Sequence, residues 1–251
     1  MIATELLTAL DLPASVRVDR RVPKKLLVEN GAPTAADKRR INEGIEDLIW
    51  LASLRPTTVG VPEYRDDVRE YLEIAVLRMG LRPGAKAGRL VELVHRAVPY
   101  PVVLIVDGVE QEISLAHKRW SQSEGDKTVL DGKVVAVDCD SDCDAATAAS
   151  FLRALALGRQ PQATLYDLYQ GWIDTLLALR AASKVGTFSL PSSADRAVAR
   201  RDALEEYDRL EAEIASIRST AAREKQLSRR VELNLKLREL RATLAAARGR
   251  L

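Results

Sequence analysis

Tyr207-Asp-Arg-Leu210-Glu-Ala-Glu-Ile214-Ala-Ser-Ile217-Arg-Ser-Thr-Ala221 places its apolar residues at spacings of 3, 4, 3 and 4. Leu233, Leu237, Leu240, Leu244, Ala247 and Leu251 repeat the pattern. Such spacing gathers the side chains on one seam of a helix, and that seam has to be buried against another helix. From Ser192 to Leu251 there is no proline and a single glycine, Gly249. One continuous helix over this stretch would extend about 80 Å at 1.5 Å per residue. The heptad phase slips between Ala221 and Leu233, however. Residues 195–218 carry seven acids against five arginines, and residues 219–251 carry nine bases against three glutamates. Folded back on itself, such a chain brings opposite charges together, so the stretch reads as an antiparallel hairpin with its turn near the slip. A homodimer through one straight helix is the second reading.

Ahead of the arm the patterning is mixed. Val102-Val-Leu-Ile-Val106 is wholly apolar, as a strand buried on both faces should be. Asp107-Gly108 is a tight-turn signal, which makes Glu110 to His117 a hairpin partner. Further strands are read around Val16–Val18, at Thr57–Val61, from Tyr71 to Leu81 and from Lys133 to Val137 after Asp131-Gly132. Thr34 reads as the N-cap of a helix running from Ala35 to Ser53, and a second helix spans Leu90–Ala97. Asp19 to Lys25 reads as an irregular basic turn. Ala145 to Ala182 is helical, interrupted at Gly158–Pro161. The fold class is therefore α+β, a small mixed sheet with flanking helices followed by helices and a coiled-coil-like hairpin arm. The divisions are an α+β body over 1–140, a helical extension over 141–186 packed on it, a linker at 187–193 and the arm at 194–251.

Composition narrows the function classes. Net charge is +2 and aromatic content 4%, so the molecule as a whole is no general polyanion binder. The N-terminus lacks a basic start and apolar run of the signal-peptide kind, and no apolar stretch approaches the roughly 20 residues a bilayer needs. With two cysteines only, no disulfide framework is implied, and a cytoplasmic protein is expected.

Motifs for chemistry are weak. Asp138, Asp140, Asp142 and Asp144 alternate, but an EF-hand counted from Asp138 would need glycine and glutamate where Cys143 and Ala149 stand. The segment instead reads as a solvated turn whose last aspartates cap the next helix. Cys139, Cys143, His95 and His117 match no zinc spacing. No P-loop, no G-x-G-x-x-G and no G-x-S-x-G occurs, and Gly80 and Gly84 show no phosphate-binding helix after them. Neither metal nor cofactor is expected. Asp107 with Asp131-Gly132-Lys133 has the loose form of a D…(D/E)-x-K nuclease set, in which acids hold a divalent metal and the lysine faces the phosphate. That is the alternative reading, with Asp107, Asp131 and Lys133 as catalytic residues.

Two basic clusters stand out. Arg20, Arg21, Pro23, Lys24 and Lys25 form one, and Arg223, Lys225, Arg229 and Arg230, extended to Asn234, form the other. Both are candidates for contact with a protein partner or with a DNA or RNA backbone, in a salt-sensitive way.

Several strings, in order, resemble a known bacterial and archaeal family. They are Val22-Pro-Lys-Lys, Ile45-Glu-Asp-Leu-Ile-Trp50-Leu, Leu54-Arg-Pro-Thr-Thr-Val, Ala97-Val-Pro-Tyr-Pro101-Val-Val-Leu, Tyr166-Asp-Leu-Tyr and Glu224-Lys-Gln-Leu-Ser-Arg-Arg-Val-Glu-Leu-Asn234. The chain resembles the domain of unknown function 4391 family over nearly its whole length. The Asp/Cys-rich segment at 138–144 departs from it. That family has no established reaction, so the resemblance supplies no catalytic residues. It implies an accessory role beside DNA methyltransferases and helicases of restriction-like or phage-defence loci. The expectation is a non-catalytic adaptor that binds such a partner, with a stand-alone nucleic-acid binder as a further alternative.

Overall fold

A computed structural model describes residues 3–109, 111–123, 127–139 and 143–251. The chain forms two compact units, Met1–Leu176 and Leu177–Leu251.

In the first unit a six-stranded mixed sheet has the order β1-β2-β5-β6-β7-β8. Its strands are β1 (Arg17–Arg21), β2 (Ile45–Leu54), β5 (Ile74–Leu81), β6 (Val102–Asp107), β7 (Glu112–Trp120) and β8 (Thr128–Asp138). A separate pair, β3 (Tyr64–Arg65) and β4 (Glu70–Tyr71), lies between β2 and β5 in the chain. β5 and β6 run parallel, and every other neighbouring pair in the large sheet is antiparallel. A parallel pair requires a crossover, which is supplied by the helix α5 (Ala87–Ala97).

Side-chain alternation places the layers. Leu77, Met79, Val102, Leu104 and Val106 share one core with Leu90, Val91, Leu93 and Val94 of α5. The same core takes Leu27 from α2 (Lys24–Gly31) and Ile41 from α3 (Ala35–Gly44). The intervening Val76, Val103 and Ile105 therefore face the other side of the sheet. There α1 (Ala3–Ala9) lies against β6 and against α6 (Ala145–Ala154). The helix α7 (Leu165–Val185) covers β7 on that face, where Gln170 meets His117. Two helical layers thus sandwich the sheet, and Val102–Val106 of β6 are buried as expected.

Four sequence expectations are corrected. The helix expected from Ala35 to Ser53 stops at Gly44, and Ile45–Leu54 is the strand β2. Its apolar run looked like the buried side of a helix, yet β1 and β5 flank it and satisfy its backbone on both edges. Gly44 is the last helical residue, and a Cβ there would sit 2.8 Å from Leu90 Cδ1. Thr57–Val61 is no strand. Pro56–Val59 forms the one-turn helix α4, with proline at its first position and Gly60 at φ 71° after it. Asp19–Lys25 divides into the end of β1 and the start of α2, with Pro23 as N-cap. Finally, β8 begins at Thr128, ahead of Asp131-Gly132, which forms a bulge inside the strand with Gly132 at φ 84°. Thr34 and Asp144 cap their helices as read, accepting from Asp37 N and Thr147 N. The β7 hairpin strand forms as read, although its expected first residue, Glu110, lies outside the described residues.

The second unit holds α8 (Ala194–Arg223) and α9 (Leu227–Arg248), packed together as a hairpin after the final turns of α7. Its turn, Glu224–Gln226, falls at the phase slip. The seam also forms: Tyr207, Leu210 and Ala247 are buried together, with Leu240, Leu244 and Leu251 against them.

One prediction belongs to the sandwich. A Cβ on Gly31 would lie 2.6 Å from Leu93 O and 2.7 Å from Ala97 Cβ, so α2 crosses α5 with no room for a side chain. Gly31→Val is expected to cost roughly 1–3 kcal/mol in urea unfolding. An unchanged midpoint would show that this crossing yields freely.

Candidate interaction surfaces

The arm sorts its own charges. Glu213 of α8 meets Lys236 of α9 at 3.1 Å, and Glu206 pairs with Arg250 near the chain end. Arg200 Nε donates to Leu251 O at 3.2 Å. Within the same unit Lys184 pairs with Glu211 at 2.9 Å and lies 5.0 Å from the centre of the Tyr207 ring, while Arg180 pairs with Asp208. The acidic first half and basic second half are thus joined across the hairpin. At the turn Arg229 reaches Glu224 at 3.8 Å, Arg223 donates to Ser219, and Lys225 is exposed. Arg230 and Asn234 are exposed on α9.

α9 is apolar on two sides. Beyond the seam, Leu227, Val231 and Leu235 stand 66%, 50% and 57% exposed. Their spacing of four residues aligns them in one ridge, roughly opposite Leu233 and Leu237 on the helix. A helix apolar on more than one side is ordinarily buried on more than one side.

The other basic cluster lies on the first unit. β1 is an edge strand, bulged at Asp19 (φ 47°), with Arg17, Arg20 and Arg21 exposed. Charges and a bulge are how an edge resists pairing with foreign strands. Pro23 is exposed, and Lys25 pairs with Glu29 at 3.6 Å. Lys24 differs from its neighbours. Its ammonium donates to Asn42 O and Ile45 O at the C-terminal end of α3, capping carbonyls that the helix leaves open. Burial pushes its pKa below the usual lysine value. It acts as a structural cap, while Arg20, Arg21, Pro23 and Lys25 are exposed. The two clusters sit on different units.

The three residues of the nuclease alternative do not converge. Asp131 is level with His117, whereas Asp107 follows Val106, which is level with Glu112 on the same β7. That offset is roughly 20 Å along the strands at about 3.3 Å per residue. Each aspartate is held by arginine. Asp107 pairs with Arg78, which also bridges to Asp47, and Asp131 pairs with Arg69 at 3.1 Å and Arg119 at 3.7 Å. Lys133 lies beside the bulge of β8.

The zinc residues are likewise apart. His95 is buried on α5, 3.1 Å from Ser114 Oγ, while Cys139 is buried near Gln111, its N–H donating to Gln111 O at 2.7 Å. Among the described residues no three His, Cys, Asp or Glu side chains gather as metal ligands, and Asp140 and Asp142 lie outside those residues. The loop after Gly80–Gly84 does lead into a helix, α5, with no side-chain cap at Lys86. A cavity of about 910 Å³ opens there beside Arg40, Lys86 and Arg89. Two of those cations are already engaged: Arg89 grips the buried Asp37 with both arms (3.0 and 2.8 Å), and Arg40 joins it at 3.2 Å. These contacts hold the Asp37 carboxyl well below the usual carboxylate range, the Arg89 hydrogen bonds foremost.

A further cluster has no signature in the sequence. Tyr64, Tyr71, Tyr166, Tyr169 and His117 converge from four separate segments, with Tyr64 and His117 stacked near Tyr166 at 5.0 and 5.2 Å. Tyr71 Oη lies 2.5 Å from His117 Nδ1, and His117 Nε2 lies 2.8 Å from Gln170 Oε1. Burial raises the Tyr71 hydroxyl well above its ordinary pKa. These groups join α7 to β4 and β7.

The architecture is a mixed sheet sandwiched by helices, followed by a charged helical hairpin. The chain belongs to the family described as domain of unknown function (DUF4391), whose model matches residues 10–244. No curated protein and no solved structure matches it. Among the described residues no helix is long and apolar enough to cross a membrane.

Proposed function

We propose that this chain is a non-catalytic accessory subunit of a cytoplasmic DNA-targeting defence or restriction-like system, and that it holds a helicase or DNA methyltransferase partner. What supports this reading is the exposed ridge of Leu227, Val231 and Leu235 on α9, beside the basic turn. One apolar face of α9 already closes the hairpin, and the second is left for another protein. The partner classes are those that the resemblance described above implies, and the exposed ridge is the surface we assign to such a partner.

Pull-down of the tagged chain from its native host, read for a co-purifying helicase or DNA methyltransferase, tests this. The chain is expected to retain a partner of one of these classes, and Val231→Asp combined with Leu235→Asp is expected to release it while circular dichroism stays unchanged. Recovery of the wild-type chain alone, at the 27.7 kDa mass of one copy by light scattering, would overturn the reading. A stable mass of two copies lost in the same variant would give the ridge to a homodimer instead.

A further inference from the structure

The bases of α9 divide by what the hairpin does with them. Arg229 and Lys236 face acids, Glu224 and Glu213. Arg230, Arg238, Arg241 and Arg248 are exposed and, among the described residues, make no ion pair or side-chain hydrogen bond. At about 100° per residue these four fall within a sector of roughly 80° on the helix, and Asn234 lies inside the same sector. Glu232 and Glu239, the acids of α9, project from the far side of the wheel. From Arg230 to Arg248 the stripe runs about 27 Å at 1.5 Å per residue. Folding the arm has neutralised one side of α9 and left an acid-free row of arginines on another.

We infer that this row binds the phosphate backbone of duplex nucleic acid without reading its sequence. Its length matches about eight base pairs at 3.4 Å each, so the guanidiniums can reach several phosphates of one duplex at once. Arginine suits this task because its charge persists at all relevant pH and its planar fork meets phosphate oxygens in pairs. No aromatic side chain lies on α9, so base stacking plays no part. The row borders the apolar ridge, with Leu227 falling inside the arginine sector at about 100° per residue, so separate arginine and ridge variants are what distinguish this inference from the adaptor reading.

Fluorescence anisotropy with a labelled random-sequence DNA duplex at two salt concentrations is the test. Four phosphate contacts imply about a hundredfold loss of affinity between about 50 and 200 mM salt. Arg238→Ala combined with Arg241→Ala should bind more weakly and shrink that loss to about tenfold. Both positions are exposed, so the helical signal should stay unchanged. Lys236→Ala, which removes an already neutralised base, should keep the full salt dependence. Failure of the wild-type protein to bind at about 50 mM salt would overturn the inference, as would equal salt dependence in the double variant. If the double variant kept its DNA affinity but lost a protein partner, the row would belong to an acidic protein surface.

Discussion

Trp172→Ala is expected to destabilise the first unit by roughly 3–5 kcal/mol, the range for removing a large aromatic from a core that cannot collapse. Among the described residues Trp172 is the largest fully buried side chain. Its indole Nε1 donates to Leu155 O at 2.8 Å, satisfying a carbonyl at the end of α6. The neighbouring backbone has no slack. A Cβ on Gly171 would lie 2.5 Å from Pro161 Cδ and 2.8 Å from Gln160 Oε1, so α7 is already seated hard on the α6–α7 connection. The void left by alanine therefore stays open, and the Leu155 carbonyl loses its donor. Trp172→Phe keeps most of the volume and should cost less. In thermal unfolding the first unit's transition should fall by roughly 10 °C for the alanine variant. A shift of only a degree or two would mean that α7 does not anchor the first unit.

What could be read in the sequence, and what could not, follows from the range of the determining interactions. The arm was legible because its seam and its charge halves are helix-periodic, and i to i+3 or i+4 patterning is local information. Even the turn showed as a slip in phase. β6 was legible because a wholly apolar run bounded by Pro101 and Asp107-Gly108 has few alternatives. β2 was not. Ile45, Leu48 and Leu51 satisfy a helical spacing, and the strand is imposed by pairing with β1 and β5, neither of which is local to it. Lys24 illustrates the same limit at a candidate site. In sequence it is one more base in a run, and only the approach of α3's C-terminal carbonyls makes it a cap. Asp107 and Asp131 look like a motif because a motif ignores register. Six residues of offset across the sheet remove the geometry that the chemistry would need. The arginine row of α9 was hidden for a different reason. All nine bases of the last 33 residues look alike until folding pairs some of them with α8.

Lys118 gives the clearest dependence on pH. It sits on β7, 1% exposed, with its ammonium donating to Val98 O at 2.7 Å and to His95 O at the C-terminal end of α5. Burial lowers its pKa from 10.5 to about 8, and its nearness helps burial to hold His95 neutral, at about 3. The carbonyls attract the charge, yet desolvation outweighs them, so the buried ammonium costs stability while it is protonated. The sign then follows. Below about pH 8 both folded and unfolded chains carry the proton, and Lys118 adds no slope. Between pH 8 and 10.5 the unfolded chain still binds a proton that the folded chain has released, so stability rises with pH. The full rise is about 3 kcal/mol, from 1.36 kcal/mol per unit of displacement. Lys118→Met keeps the buried stem and removes the titration, so its urea midpoint, compared with wild type at pH 7 and pH 10, should lose this rise. At pH 7 the variant trades a desolvated charge against two carbonyls left without a donor, and its stability should differ from wild type by less than that of Lys118→Ala, which also opens a cavity. If wild type and Lys118→Met moved in parallel from pH 7 to pH 10, Lys118 would not be the group that titrates. The burial of Lys118 under α5 would then have to be looser than its contacts imply.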